Sequence, residues 1–171
     1  MEEPLAIRPY DSKSKIYFER EKKLLIKKIA QVKVHHIGST AVPGLGGKNI
    51  IDILVVVPSK RVIDSIVNQL ELLGYRHRKN AGDKHRLFFN RDRFWENKKI
   101  HFHLHLMWKS NDRYKNYLRF RDYLKNHPKE ARKYYLLKKQ WVQKSKGVRK
   151  KYVEAKTEYV KEVLAKAKHD S

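Results

Sequence analysis

The order of the residues predicts a fold of the α+β class. Most runs with the apolar and β-branched character of strands lie before residue 110, and long amphipathic stretches fill the chain after it. Residues 50–57 form an almost wholly apolar run, whereas residues 100–107 alternate apolar and polar side chains. Strands that come early and helices that come late favour an α+β arrangement over a regular alternation of the two.

Two helices and three strands are predicted in the first part of the chain. Apolar residues recur at helical spacing in residues 15–30 and again in residues 60–73. Residues 32–37 are mostly β-branched or aromatic, which indicates a strand before the apolar strand. Gly and Pro interrupt residues 40–48, so this segment is expected to be irregular or briefly helical. A short edge strand is predicted at residues 7–11.

Three further strands are predicted before the helical part of the chain. They cover residues 75–78, 85–90 and 100–107, and residues 90–98 are interpreted as a polar hairpin connection. In the last strand, alternation separates Ile100, Phe102, Leu104 and Leu106 from His101, His103, His105 and Met107. The apolar side is expected to pack on helices, so the imidazoles are expected on the opposite face of the sheet.

Three helices are predicted after Ser110. The first ends at a break before Pro128, which suits the first turn of the second helix, and Gly147 separates the second from the third. The apolar positions of the second helix leave Lys138 and Lys139 on its predicted polar side. The inward side of the third helix is expected to contain Val153, Tyr159, Val160, Val163 and Leu164.

The chain is strongly basic. Its 41 Lys and Arg against 18 Asp and Glu give a formal net charge of +23 and an isoelectric point near 10.1. Such a charge attracts polyanions, because binding to phosphates releases their counterions. Expected partners are therefore phosphorylated small molecules, including nucleotides, and nucleic acid bound through a basic surface. The other interpretation is a general enrichment of Lys and Arg on solvated helix faces, which specifies no site.

Composition also limits the class of protein. A length of 171 residues with 40% hydrophobic content suits one domain that spans residues 1–171. No run is apolar enough to span a bilayer and the first residues lack the pattern of a signal peptide, so a cytoplasmic protein without membrane contact is expected. Because the chain has no cysteine, any metal must be bound by oxygen or imidazole ligands.

A turn of small residues follows the strand predicted at residues 32–37. Gly38, Ser39 and Thr40 leave backbone N–H groups that an anion can approach closely, which indicates a phosphate-sized opening. A tight turn that needs only the geometry of glycine would give the same residues. Beyond the turn, Lys48 and Arg86 are further candidates for phosphate binding.

Asp52 is the single charged residue within the apolar strand. A buried carboxylate needs a partner, because an unpaired buried charge is strongly unfavourable. His103 and His105 stand two residues apart on one strand face, so both rings can reach a common point. Asp52, His103 and His105 are therefore predicted to form one catalytic or metal-binding centre. The alternatives are a structural acid paired with Lys48 or Arg86, and hydrogen-bonded histidines without metal.

Several blocks spread along the chain form an ordered set. The most specific block is His-Ile-Gly-Ser-Thr-Ala-Val-Pro-Gly-Leu at residues 36–45, followed by Lys48 and by Ile-Ile-Asp-Ile at residues 50–53. The remaining blocks are residues 7–11, 18–21, 103–105, 120–124 and 127–128. Together they resemble the GrpB family, a group with the nucleotidyltransferase fold, over nearly the whole chain.

This resemblance implies a small mixed β-sheet with flanking helices and a helical C-terminal part. A Gly-Ser pair after the first strand of this fold holds the triphosphate of a nucleotide, so Gly38, Ser39 and Thr40 would contact a nucleoside triphosphate. The fold usually supplies a second acid two residues after Asp52, where this chain has Leu54. A single carboxylate suits paired magnesium ions poorly, so a divalent transition metal is favoured over magnesium.

Two functions are consistent with these residues and this resemblance. One is nucleotidyl or phosphoryl transfer, with Asp52 as a metal ligand and His103 or His105 as a ligand or general base. The other is a noncatalytic module that binds a nucleotide or nucleic acid and has kept the fold with a degenerate active site. Metal-dependent consumption of a nucleotide would distinguish the enzyme from the module.

Overall fold

A computed structural model describes residues 6–169 and places a five-stranded sheet and five α-helices in that part of the chain. The strands are β1 (Lys33–Ile37), β2 (Ile50–Val57), β3 (Arg76–His77), β4 (Leu87–Trp95) and β5 (Lys98–Trp108). The helices are α1 (Ser14–Lys28), α2 (Ile63–Leu72), α3 (Arg113–Asn126), α4 (Pro128–Ser145) and α5 (Arg149–His169). A mixed sheet followed by helices confirms the predicted α+β class.

The parallel pair β2 and β5 lies inside the sheet, whose strand order is β1-β2-β5-β4-β3. All other neighbouring strands are antiparallel. The register sets Asp52 beside His103 and Leu54 beside His105. Because side chains alternate between the two faces of a sheet, these four side chains project from the same face. This face is called the site face below.

The opposite face of the sheet carries the main hydrophobic core. Alternate residues of β2 and β5 are buried there against α1 and α2. The fully buried aliphatic and aromatic residues of these two strands include Ile51, Ile53, Val55, Phe102, Leu104 and Leu106. The prediction that the apolar side of β5 packs on helices, with the imidazoles on the other face, is confirmed.

Helix α3 covers only part of the site face. Its residues Tyr114, Tyr117 and Leu118 pack against Leu54 and the neighbouring apolar residues of the sheet. The side chain of Asp52, by contrast, keeps an exposed fraction of 27%. The site face is therefore closed by apolar packing at Leu54 and open to solvent at Asp52.

Helices α4 and α5 pack on the segment that follows β1. Val42 and Leu45 of this segment are buried with residues of both helices, and the ring of Tyr134 stacks on that of Tyr159 at 5.0 Å. Helix α4 begins at Pro128 as predicted, and Gly147 lies between the two helices. Across residues 6–169, the helices lack the combination of length and apolar character needed to cross a bilayer.

The prediction of a polar hairpin connection at residues 90–98 is wrong. Strand β4 continues to Trp95, and the turn contains only Glu96 and Asn97, with φ angles of 49° and 62°. The ring of Trp95 stacks on Tyr17 of α1 at 5.3 Å. Tertiary packing therefore extends a strand whose charged residues had suggested a loop.

Two smaller predictions also differ from the structure. Val153 is 48% exposed, because the buried stripe of α5 runs through Tyr152 and Tyr159 instead. In place of an edge strand at residues 7–11, the described chain forms an isolated antiparallel bridge between Arg8 and Gly47. This bridge ties the segment before α1 to the loop before β2.

Candidate functional site

The turn after β1 lies directly against the carboxylate of Asp52. A Cβ atom built on Gly38 would lie 2.4 Å from Asp52 Oδ2, and Gly38 has a φ of 72°. Both the backbone conformation and the lack of space therefore require glycine at this position. The structure brings the predicted phosphate turn and the predicted acid into one site.

His103 and His105 approach Asp52 from the neighbouring strand. Asp52 Oδ1 lies 3.6 Å from His103 Nδ1 and 3.7 Å from His105 Nε2. Burial by itself raises the pKa of Asp52, but the imidazole nitrogens that face its carboxylate outweigh burial and lower it. The three residues predicted to share a centre are thus adjacent, and Asp52 is held as a carboxylate.

Arg86 determines which nitrogen of His105 carries a proton. Arg86 Nη1 lies 3.0 Å from His105 Nδ1. Because arginine can only donate hydrogen bonds, Nδ1 must be the accepting nitrogen of a neutral ring. The proton then resides on Nε2, which faces Asp52. Burial is the main cause of the lowered pKa of His105, which keeps the ring neutral.

This arrangement does not favour a metal ion on His105. A histidine that ligates a metal usually donates its other N–H to an oxygen atom, whereas here that nitrogen faces a guanidinium. Between residues 6 and 169, no group of three His, Cys, Asp or Glu side chains is arranged to hold a metal ion. The divalent metal expected at Asp52, His103 and His105 stays a prediction.

His103 is positioned differently from His105. Its Nδ1 faces Asp52, and its ring packs edge-on against Phe88 with centroids 4.9 Å apart. A carboxylate at Nδ1 favours the tautomer that has its proton on Nδ1, which leaves Nε2 able to accept a proton. The side chain is 27% exposed, so an external group can reach it. His103 is therefore the better candidate for a general base.

Thr40 is held by the opposite face of the sheet. Its hydroxyl donates to Ile50 O at 3.2 Å and accepts from His36 Nε2 at 3.0 Å. The ring of His36 stacks on Phe18 at 4.4 Å, and burial lowers its pKa to about 4. The Thr40 side chain thus fixes the turn. Only the backbone N–H of Thr40 can make the predicted contact with phosphate.

Lys138 supports the same turn and was not predicted as a site residue. Its ammonium donates to Ser39 Oγ at 2.7 Å and to Gly46 O. The prediction that Lys138 lies on the polar side of its helix is wrong, since it is only 2% exposed. The helical spacing indicates this burial, because Lys138 lies four residues after the buried Tyr134 and seven after the buried Ala131, on the same face of the helix.

Burial, together with the charges of Lys156 and Lys48, lowers the pKa of the Lys138 ammonium to about 7, and the charge of Asp52 opposes this change. The same ammonium stands over the ring of Tyr134 at 4.6 Å. Gly47 is packed so closely against Ser39 that an added Cβ would lie 2.8 Å from Ser39 Cβ. Ser39 is therefore fixed from two sides.

The remaining predicted phosphate binders fall on two sides of the site. The ammonium of Lys48 stands over the ring of Tyr152 at 5.0 Å, on the side of α5. Arg86 stands beside His105, on the side of α3, where it also lies 3.5 Å from the hydroxyl of Tyr117. Gly38, Ser39, Thr40 and Lys48 thus form one group, and Arg86 belongs to another.

Comparison with known proteins places the chain in a family. The model of the GrpB protein family matches residues 4–166. Glutamate-rich protein GrpB of Alkalihalophilus pseudofirmus is 34% identical over 151 residues, which cover 86% of each chain. UPF0157 protein YqkA of Bacillus subtilis is 33% identical over 88% of this chain, which spans only 43% of that relative.

A solved structure agrees with these matches. The crystal structure of conserved protein GrpB from Enterococcus faecalis superimposes with a TM-score of 0.79 at 31% sequence identity. The superposition covers 95% of this chain and 96% of that one. The resemblance that the sequence showed at residues 36–45 is thus shared by the fold as a whole. The chain belongs to the GrpB family.

Proposed function

We propose that this protein binds a nucleotide or another phosphorylated ligand on the site face and transfers a nucleotidyl or phosphoryl group. The observation that carries the proposal is the direct contact between Gly38 and the carboxylate of Asp52. It joins a turn suited to phosphate with an acid that is partly exposed and flanked by two imidazoles. A purely structural acid would not need an open side, and it could be paired with permanently charged side chains instead of imidazoles.

Phosphate would bind at the turn through backbone and hydroxyl donors. Ser39 and Thr40 begin a single turn of 3-10 helix. Within residues 6–169, their backbone N–H groups donate no loop hydrogen bond, so they can donate to a phosphate. The Ser39 hydroxyl accepts from Lys138, so its own proton is directed elsewhere and can be donated to a phosphate oxygen. Lys138 and Lys48 add positive charge on the same side.

Asp52 and His103 would supply the acid–base chemistry. In nucleotidyl transfer, an acceptor hydroxyl oxygen bonds to the α-phosphorus, the bond from that phosphorus to the bridging oxygen breaks, and pyrophosphate leaves. The hydroxyl proton would pass to His103 Nε2, while Asp52 holds the ring through Nδ1 and stabilises the resulting imidazolium. A divalent metal, when bound, would neutralise charge on the phosphates, but the residues described here give His105 no suitable ligand geometry.

Thermal unfolding with and without a nucleoside triphosphate tests the binding step. A ligand at a hundredfold excess over its Kd should stabilise the native state by about 2.7 kcal/mol. Ser39→Ala should reduce this shift, whereas Ser65→Ala, an exposed serine of α2, should leave it unchanged. Each variant is compared with its own nucleotide-free melting curve, because Ser39→Ala also removes an acceptor from Lys138. A nucleotide that shifts none of the three curves contradicts the phosphate site.

Consumption of the nucleotide tests the chemical step. Asp52→Asn and His103→Gln should lower turnover while they leave the nucleotide-induced melting shift in place, because neither side chain is assigned to phosphate contact. If both variants keep the turnover of the parent protein, Asp52 and His103 do not form the acid–base pair.

The second candidate function is a noncatalytic module that binds nucleic acid. It is favoured by the exposed basic residues of α4 and α5, which include Arg132, Lys144, Lys150, Lys151 and Lys161. Affinity for RNA or DNA that falls steeply with salt, without consumption of nucleotide, would support this function. Salt-independent affinity, or no binding at low salt, would leave the basic surface as a general feature of composition.

A further inference from the structure

A cavity of about 290 Å³ lies beside the candidate site, where the end of β5 meets the start of α3. Arg86, Met107, Arg113, Asn116 and Tyr117 are among its lining residues. Pockets for drug-sized ligands begin at roughly 300 Å³, so this cavity suits a small group better than a whole nucleotide. Of Gly38, Ser39, Thr40, Lys48 and Arg86, only Arg86 lines this cavity.

The lining of this cavity is positively charged. Arg86 and Arg113 contribute two guanidinium groups, and within residues 6–169 neither forms an ion pair with a carboxylate. The acid in the lining, Asp83, already accepts a hydrogen bond from the backbone N–H of His85 at 2.7 Å. Asn116 and Tyr117 add polar groups that can donate to an anion. The cavity therefore offers positive charge and donors together.

Hydrogen bonds hold Arg86 in place, and they leave part of its N–H groups without a partner among the described residues. Its Nη2 donates to Ala81 O at 2.8 Å and its Nη1 to His105 Nδ1 at 3.0 Å. The Nε atom is buried and has no hydrogen-bond partner among the described residues. A guanidinium has five N–H groups in a fixed plane, so one already oriented in this way loses little freedom when it binds an oxyanion.

We infer that this cavity binds a small oxyanion, a phosphate or a carboxylate group, between Arg86 and Arg113. If the proposed transfer reaction is correct, the oxyanion belongs to the second substrate, whose acceptor hydroxyl would then lie toward Asp52 and His103. Arg86 joins the two regions, because the same guanidinium lines the cavity and contacts His105. The first substrate is held by the Gly38 turn and the second by Arg113.

An NMR titration of the 171-residue chain tests this inference. Inorganic phosphate and acetate are added to separate ¹⁵N-labelled samples at constant ionic strength, and the backbone amide signals of Arg113 and Asn116 are followed. Saturable shifts are expected, and the tighter of the two anions identifies the chemical class. Arg113→Gln should weaken binding by about tenfold, since it removes a charge-assisted hydrogen bond. Arg20→Gln, on the exposed side of α1, removes the same charge and should leave affinity unchanged.

The outcomes separate this inference from the proposed function. Shifts confined to the amides of Gly38 and Ser39 would overturn the cavity assignment and leave the nucleotide site intact. Saturable shifts at Arg113 together with no nucleotide effect on melting would support the cavity and overturn the proposed function. Equal weakening by Arg113→Gln and Arg20→Gln would mean that the effect depends only on net charge, and it would overturn the inference. Arg86→Lys, which keeps the charge but loses the planar fork, should also weaken binding.

Discussion

An acidic side chain lies on each face of the sheet, and the two acids have different surroundings. Glu21 of α1 is 1% exposed and accepts hydrogen bonds from Tyr75 and Arg91, both at 2.8 Å. Arg93 lies 3.1 Å from its second oxygen. Asp52, on the site face, is 27% exposed and has two imidazoles as neighbours in place of arginines.

This difference separates a structural acid from a candidate functional one. The arginines around Glu21 carry a permanent charge, and the carboxylate is buried, so no external group can reach it. The imidazoles around Asp52 carry no permanent charge, and part of the carboxylate remains accessible. A buried charge by itself therefore indicates nothing about function, whereas the identity of its partners and the access of solvent do.

The largest expected effect contrasts Glu21→Gln with Asp52→Asn. Glu21→Gln leaves two arginines without a carboxylate, and breaking such a buried network should lower the free energy of unfolding by about 3 kcal/mol. Asp52→Asn keeps an acceptor oxygen and has partly exposed surroundings, so its loss should be about 1 kcal/mol or less. Urea unfolding at pH 8 measures both losses. Equal losses would show that Asp52 is as structural as Glu21.

The second effect concerns the glycine that touches Asp52. Gly38 and Gly147 have similar positive φ angles of 72° and 82°, but an added Cβ meets nothing within 4 Å at Gly147. Both alanine variants place a side chain at a positive φ, and only Gly38→Ala also displaces the Asp52 carboxylate. Gly38→Ala should therefore be less stable than Gly147→Ala by about 2 kcal/mol, the usual scale for overpacking.

Chemical denaturation of the two glycine variants gives this difference directly. Comparable stabilities would mean that the turn does not rest against Asp52. Addition of Asp52→Ala to Gly38→Ala should recover part of the loss, because it removes the carboxylate oxygen that the new methyl group meets.

The smallest effect is the pH dependence that Lys138 contributes. Its pKa is about 7 in the folded protein, against an ordinary value of 10.5. Between these values the unfolded chain binds more protons than the folded one, so the contribution of Lys138 to stability rises with pH. The penalty for burying the ammonium is complete below pH 7 and is relieved as the pH approaches 10.5.

Lys138→Met removes this proton and should flatten the dependence of stability on pH. The difference in slope between the parent protein and the variant should reach about 1.4 kcal/mol per pH unit between pH 7.5 and 9.5. Lys139→Met, one residue further along the helix and exposed, is the matched control and should keep the parent slope. If stability depends on pH with the same slope in all three proteins, the pKa of Lys138 is not lowered in the folded protein.

Local patterns in the sequence predicted most of the secondary structure. The apolar run at residues 50–57 coincides with β2, and the alternation at residues 100–107 lies within β5 with the predicted sides inward and outward. Pro128 and Gly147 marked the limits of α4. These signals succeed because strand alternation, helix periodicity and the backbone limits of proline and glycine act within a few residues.

The candidate site was predicted in its residue types but not in its geometry. Asp52, His103 and His105 meet because β2 and β5 pair in one register, and a shift by one residue would turn the imidazoles to the other face. The place of Arg86 beside His105, and not beside Ser39, depends on the path of β4. No local pattern records such a register.

Sequence by itself therefore determined the elements of this protein, the presence of an acid inside an apolar strand and membership of a family. Only the tertiary structure decided which charged side chains are enclosed, as Lys138 beneath Ser39 and Glu21 between two arginines show. The physical reason is distance along the chain. A helix pattern can mark a side chain as polar, but whether that side chain meets solvent or a buried partner depends on elements many residues away, and their packing sets the free energy of each charge.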